Sequence, residues 1–330
     1  MEFRFTDEQA MIAETAQAFF AKHATSARTR AAMAGEGIDR ELWRALAQEL
    51  GLTGVAMPEA HGGAGLGMVE FAILAEAAGA HVGALPLLGL ATVGRGIAAG
   101  GSDEQRTAWL PRLASGEVIA AFADAPLVPH GAVVDLFLTR EGALVEAGGA
   151  RVEPLTTMDE TRPLARVDVA GGTPLANAAA GLEAAYQGGW LCLAAEALGG
   201  AQACLDRTVA YSRERVQFGR AIGSFQAYKH RLADMMVGIE QARSAVYWAA
   251  CTIDEASPEA PLALHAAKSF AADTFFRCAG DMIQLHGGIG FTWEHDAHLF
   301  FKRARSIQTL LGSGEWHREQ VAATVLGEAA

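Results

Sequence analysis

Two stretches in the second half of the chain combine residue types that can hold an anion and a flat ring. The first is Arg213-Glu-Arg-Val-Gln-Phe-Gly-Arg-Ala-Ile-Gly-Ser-Phe-Gln226. Within it Arg215 offers a planar guanidinium fork to phosphate oxygens, and Phe218 offers an aromatic face for stacking. Phe225 and Gln226 open the next helix, where backbone N–H groups and the helix dipole favour a negative ligand. The second stretch, Gln284-Leu-His-Gly-Gly-Ile-Gly-Phe291, ends a helix at Gln284. Its glycines Gly287, Gly288 and Gly290 let a backbone approach a ligand closely and turn N–H groups toward it. Each stretch alone also has a plainer reading. Arg215 can serve as a helix C-terminal charge, Phe218 as a plug between two helices, and the glycines as a connector.

The elements that must position these stretches are mostly helical. Thr6 and Gln9 make a capping box ahead of a helix carrying Met11, Ile12, Phe19 and Phe20 on one face. A second helix is expected over Glu41–Leu50, stopped by Gly51, and a third over Met68–Gly79 after the turn-rich Pro58–Leu66. Ser102 and Gln105 cap a further helix, expected to stop near Pro111. Between Gly116 and Gly172 the texture becomes β: Val118–Ala123, Val133–Thr139, Ala143–Glu146 and Ala165–Val169, with Arg140-Glu141-Gly142 as a hairpin turn. Ala176–Ala180 reads as a linker. Helices then return. Phe225, Tyr228, Leu232, Met235, Ile239, Ala242 and Val246 alternate three and four apart, which predicts a bundle helix to about Thr252. Further helices are expected over Pro261–Leu285, Asp296–Leu311 and Trp316–Leu326. The organisation is therefore mainly α: a helical domain over 1–115, a short β module over 116–177 and a helical bundle over 178–330.

Composition narrows the class. The 330 residues are 51% hydrophobic and 19% charged, as in a well-buried globular protein, and carry a net charge of −12. That balance argues against a general nucleic-acid or membrane-surface role, although a few local arginines can still hold a phosphate. The four cysteines (Cys192, Cys204, Cys251, Cys278) lie in apolar helical settings without CxxC spacing, so they read as free thiols of a reducing, cytoplasmic compartment. The N-terminus lacks an apolar signal core, and no uninterrupted apolar run is long enough to cross a membrane. His286, His295, His298 and His317 lack the carboxylate partners of an acid–base or metal site and read as scattered surface histidines, and no metal is expected.

Taken jointly, R-x-x-F-G, F-Q seven residues after the Phe, and Q-x-x-G-G-x-G-F after a long helical interval resemble the C-terminal signature of the acyl-CoA dehydrogenase family. Leu52-Thr-Gly-Val-Ala-Met-Pro-Glu-Ala-His-Gly-Gly-Ala-Gly-Leu66 resembles that family's N-terminal segment, and the order of helices, β domain and four-helix bundle is the same. The resemblance spans nearly the whole chain. It implies FAD as cofactor, with Arg215, Phe218, Phe225 and Gln226 on its adenosine diphosphate part and Gln284, Gly287 and Gly288 near its pyrophosphate. It further implies α,β-dehydrogenation of an acyl-CoA thioester, an electron-transfer flavoprotein as acceptor, and an oligomer in which adjacent subunits share each flavin.

The chain also departs from that pattern. Where the family has L-T-E-P-x-A-G-S-D, it reads Phe122-Ala-Asp-Ala-Pro-Leu-Val-Pro129, and the β module is short. Set against relatives whose catalytic glutamate precedes Gly-Thr, the position falls at Gly312. Set against those whose glutamate lies on the helix before R-x-x-F-G, it falls at Gly188–Gly189. Neither carries a carboxylate, which leaves Glu315 and Glu196 as displaced candidates for the base. The expectation is the FAD-clamping short subunit of a heteromeric enzyme, completed by a longer homologous subunit. The alternatives are a self-sufficient homo-oligomer using Glu315 or Glu196, and a non-catalytic scaffold of the same fold.

Overall fold

A computed structural model describes residues 4–327. The N-terminal part holds α1 (Asp7–His23), α2 (Ser26–Ala34), α3 (Arg40–Gln48) and α4 (Met68–Gly79). It continues through α5 (Leu87–Gly89), a π-helical turn (Leu90–Gly94) and α6 (Arg95–Gly100) to α7 (Asp103–Ala114). The Thr6–Gln9 and Ser102–Gln105 capping boxes both form, each side chain bonding the other residue's backbone N–H. The expected stop at Pro111 is corrected. The helix continues to Ala114, because Leu110, Leu113 and Ala114 are buried on one face and packing outweighs the lost backbone bond.

The β module forms two small sheets. One has the order β1 (Ala120–Ala123), β3 (Leu136–Thr139), β4 (Ala143–Glu146), β7 (Thr173–Pro174), with β1 and β3 parallel. The other pairs β2 (Leu127–Pro129) and β5 (Ala150–Pro154) on either side of β6 (Leu164–Val169). Gly142, at φ 80°, turns β3 into β4 as the sequence predicts. The sequence reading missed β2 and β5, which contain proline and mixed polar residues and lie at the sheet edges.

Helix α8 spans Ala178–Glu214, and Asn177 caps its N-terminus, so the expected linker at Ala176–Ala180 is corrected: most of it is the first turn of this helix. A short hairpin, β8 (Val216–Gln217) and β9 (Arg220–Ala221), leads to α9 (Gln226–Asp254). Then follow α10 (Ala260–His286), α11 (Ala297–Thr309) and α12 (Gly314–Leu326). Helices α8 and α9 flank α10, and α11 packs on it from the C-terminal side. The helices approach closely where glycines face carbonyls: a side chain at Gly199 would strike the Glu76 carbonyl, and one at Gly79 would strike that of Glu196. Cys192, Cys204 and Cys278 are buried and Cys251 half-buried, all as free thiols.

A buried ion cluster joins the three parts. Arg162, in the β5–β6 loop, donates through Nη2 to both oxygens of Glu196 on α8, at 2.7 and 2.5 Å. Arg303 on α11 donates through Nε to Asp159 at 2.9 Å, and through Nη2 to the Thr161 hydroxyl at 2.6 Å and the Gly83 carbonyl at 3.4 Å. Glu196 is 2% exposed. Both of its oxygens are committed to an arginine in the interior.

His130 and His317 are also buried. His130 follows β2, and His317 bonds His265 through Nδ1 at 2.8 Å while Lys268 holds the Gly312 carbonyl at 2.6 Å. Burial lowers both histidines to about 3, with Arg162 and Arg303 adding to the effect at His130, and Lys268 and His265 at His317.

Two outcomes follow from these buried groups. Glu196→Gln removes the carboxylate that Arg162 bonds directly, so urea unfolding should report a loss of about 3–5 kcal/mol. The double change Arg162→Met with Glu196→Leu should recover most of it, and a single-variant loss below about 1 kcal/mol would contradict the cluster's role. For the histidines, folded pKa values near 3 lie below the ordinary 6.5. The unfolded chain therefore takes up protons that the folded chain does not, and stability falls as pH drops from about 6.5 toward 3. The two groups together should cost roughly 4 kcal/mol between pH 7 and pH 5, and a flat unfolding profile over that range would count against it.

Candidate functional site

Arg215 is the C-cap of α8, its N–H bonded to the Tyr211 carbonyl. The chain then turns through Phe218 (φ 54°) and Gly219 (φ 75°), both in the left-handed region, as a two-residue hairpin connection requires. Glycine accepts this conformation freely. A phenylalanine there is strained by about 1–2 kcal/mol. The strain also places Phe218 at the hairpin tip, 92% exposed. Phe225, the N-cap of α9, meets Phe218 edge-on at 6.2 Å and carries the Arg220 guanidinium over its ring at 3.9 Å. Gln226 is the first residue of α9 and is exposed.

The second stretch arrives from α10. Its last residue is His286, and Gly287 (φ 64°) breaks into a 3-10 turn over Gly287–Phe291. Two contacts stitch the stretches together. The Tyr228 hydroxyl donates to the Leu285 carbonyl at 2.8 Å, and the Tyr211 ring stacks on His286 at 4.5 Å. Between them lies a cavity of about 560 Å³ lined by Arg215, Gln284, Gly287 and Gly288, with Tyr211 and Tyr228. A side chain added at Gly287 or Gly288 would meet nothing within 4 Å, so both backbones face open space. Arg215 makes no ion pair among the described residues. A cation and two bare glycine backbones around one cavity suit a pyrophosphate, so the residues present fit the nucleotide end of a dinucleotide cofactor, although Gln226 does not line it. Phe218 and Phe225 stand beside this cavity and do not line it.

A larger cavity of about 830 Å³ lies elsewhere, between α9, α10 and α12. Two of its three charged residues, Asp273 and Arg318, pair with each other at 2.8 Å, and it lacks the glycine backbones of the first cavity.

The two places where a base was sought lie side by side. A side chain at Gly189 would collide with Leu311 and Thr92, and one at Gly188 with the Ala91 carbonyl. Leu311 therefore fills the space opposite Gly189, one residue before the Gly312 taken from the sequence. Trp190 Nε1 bonds the Leu311 carbonyl at 2.8 Å and closes the gap. At Gly312 (φ 106°) the Trp316 ring blocks any side chain. Glu315 projects into solvent from the first turn of α12, where a carboxylate favours the helix N-terminus. Among the histidines, His286 and His317 are buried and His295 and His298 half-buried, which corrects the expectation that they lie scattered on the surface. No group of three or more potential metal ligands occurs among the described residues, and no helix there is long and apolar enough to cross a membrane.

Comparison with known proteins bears on this arrangement. The family profile for the N-terminal domain of acyl-CoA dehydrogenase matches residues 6–117, and that for the C-terminal domain matches residues 182–326. The chain is 38% identical over 310 residues to the acyl-CoA dehydrogenase IpdE2 of Mycobacterium tuberculosis, covering 93% of this chain and 94% of that one. Among solved structures it resembles the ChsE4–ChsE5 complex from Mycobacterium tuberculosis (TM-score 0.89, 27% identity, full coverage of both chains). It likewise resembles a variant of the Tcur3481–Tcur3483 steroid acyl-CoA dehydrogenase (TM-score 0.87, 30% identity, 97% of this chain and 98% of that one). With both terminal domains matched and a near full-length relative at this identity, the chain belongs to the acyl-CoA dehydrogenase family of oxidoreductases.

Proposed function

We propose that this chain is the FAD-clamping short subunit of a heteromeric acyl-CoA dehydrogenase, and that a longer homologous subunit supplies the base and the surface for the flavin ring. One observation carries the reading: the cavity beside Arg215, Gly287 and Gly288 is open, while the space around Gly189 is packed shut by Leu311, Thr92 and Trp190. The exposed tip adds to it. Phe218 is strained and 92% exposed, and Phe291 nearby in sequence to the glycine turn is 87% exposed, so apolar surface beside the cavity awaits cover.

In this reading Arg215 pairs with the pyrophosphate, the Gly287 and Gly288 backbones receive its oxygens, and Gln284 and Gln226 hydrogen-bond the same region. Phe218 and Phe225 offer rings to the adenine. FAD, when bound, accepts the hydride released as the acyl-CoA becomes α,β-unsaturated. The proton removed in that reaction goes to a partner carboxylate, because neither Glu196 nor Glu315 stands at an open substrate position. The electrons leave to an electron-transfer flavoprotein, and the enzyme works in the cytoplasm. Two of the similar structures are named as two-component assemblies, one of them a steroid acyl-CoA dehydrogenase, which supports a bulky polycyclic acyl-CoA as substrate.

Flavin content tests the assignment. The chain purified alone should carry little FAD, and co-expression with a longer homologue should yield a complex with one FAD per pair of chains. Stoichiometric FAD and full turnover of acyl-CoA by the isolated chain would overturn it. Phe218→Asn separates strain from function. Asparagine tolerates the left-handed turn, so thermal or urea unfolding of the isolated chain should show a gain of about 1 kcal/mol. In the complex with the longer homologue, the same variant should lose co-purifying flavin, and full retention of flavin would remove Phe218 from the clamp.

A further inference from the structure

His286 is 4% exposed and pinned between two rings, Tyr211 at 4.5 Å and His295 at 4.5 Å. Its Nδ1 lies 2.7 Å from the Met282 carbonyl, one helical turn back. A carbonyl only accepts, so Nδ1 carries the proton, and in a neutral ring Nε2 is left with a lone pair. Nε2 has no partner among the described residues, and His286 lines the same cavity as Arg215 and the glycine pair. Burial lowers its pKa against the pull of the Met282 carbonyl, with His295 and Arg207 adding to the lowering, which keeps the ring neutral. The other residues expected to grip the ligand mostly donate hydrogen bonds. His286 is the rigid acceptor among them.

We infer that His286 is a binding residue of the clamp, its Nε2 accepting a hydrogen bond from a donor on the adenosine end of the nucleotide, either a ribose hydroxyl or the exocyclic amine of adenine. The inference rests on the nucleotide reading of this cavity. The stacked ring and the fixed tautomer hold the acceptor in place before the ligand arrives, so little entropy is lost in making the bond.

The test is calorimetric titration of ADP into the protein as purified, with any partner it retains, after removal of flavin. His286→Phe keeps the aromatic stack and deletes the acceptor, whereas His286→Gln keeps an acceptor near the Nε2 position. The Phe variant should bind ADP roughly ten-fold more weakly, and the Gln variant within about three-fold of the parent. Inosine diphosphate, which lacks the exocyclic amine, and 2′,3′-dideoxy-ADP, which lacks the ribose hydroxyls, identify the donor. One of them should bind the parent as weakly as ADP binds the Phe variant, and this comparison stands even if the Phe variant fails to fold. Equal ADP affinity in the parent and a folded Phe variant, or equal affinity of all three nucleotides for the parent, would overturn the inference. A parent that binds no ADP would overturn the nucleotide reading itself.

Discussion

Two guanidinium groups and two carboxylates leave water together at the junction of the β5–β6 loop, α8 and α11. Taking such ions into the interior costs several kcal/mol each, and it is their mutual pairing that offsets the cost. Arg162 grips Glu196 with one nitrogen against both oxygens, while Arg303 collects Asp159, the Thr161 hydroxyl and the Gly83 carbonyl. The cluster therefore tolerates essentially one arrangement of three otherwise separate parts. Its consequences reach the nucleotide cavity, since α8 ends at Arg215 and α11 begins just after the glycine turn that follows His286. By tying α8 to α11, the ion cluster helps to fix the distance between the two halves of the clamp.

The same helices explain why the chain looks equipped for half a reaction. Glycines let α8 press against the π-helical turn, and Leu311 and Trp190 fill what space remains around Gly189. A carboxylate introduced there would have to displace the Leu311 and Thr92 side chains. At the far end of α8 the reverse holds: glycine backbones face open space, Arg215 makes no ion pair among the described residues, and a strained phenylalanine stands in solvent. A stable fold does not retain strain and exposed apolar surface at one hairpin without a compensating contact. The protein is packed shut around Gly189 and open at the cavity between Arg215 and the Gly287–Gly288 pair.

Much of this was legible in the sequence because it is local. Capping boxes, the Gly142 turn, the spacing of apolar residues along α9 and the two glycine- and arginine-bearing stretches all act over a few residues. What escaped the reading depends on distant partners. Glu196 looked like a free charge on a helix face, since nothing near it announces that Arg162 from the β module meets it in the interior. His286 and His317 looked like surface residues because their burial comes from Tyr211, His295 and His265, all on other elements or far along the chain. Pro111 was read as a stop by its backbone chemistry, and the packing of Leu110 and Leu113 overrode it. The lack of a carboxylate at Gly188, Gly189 and Gly312 was visible in the sequence, but not that Leu311, adjacent to Gly312, fills the space opposite Gly189.

The central claim is a division of one cofactor between two chains, and the most direct measurement is a structure of the complex of this chain with its longer partner, with FAD bound. The account requires the pyrophosphate against Arg215 and the Gly287–Gly288 backbone of this chain, with the flavin ring and the substrate base on the partner. A flavin ring lying against Gly189, Trp190 and Leu311 of this chain, with Glu315 or Glu196 turned toward the substrate, would contradict it.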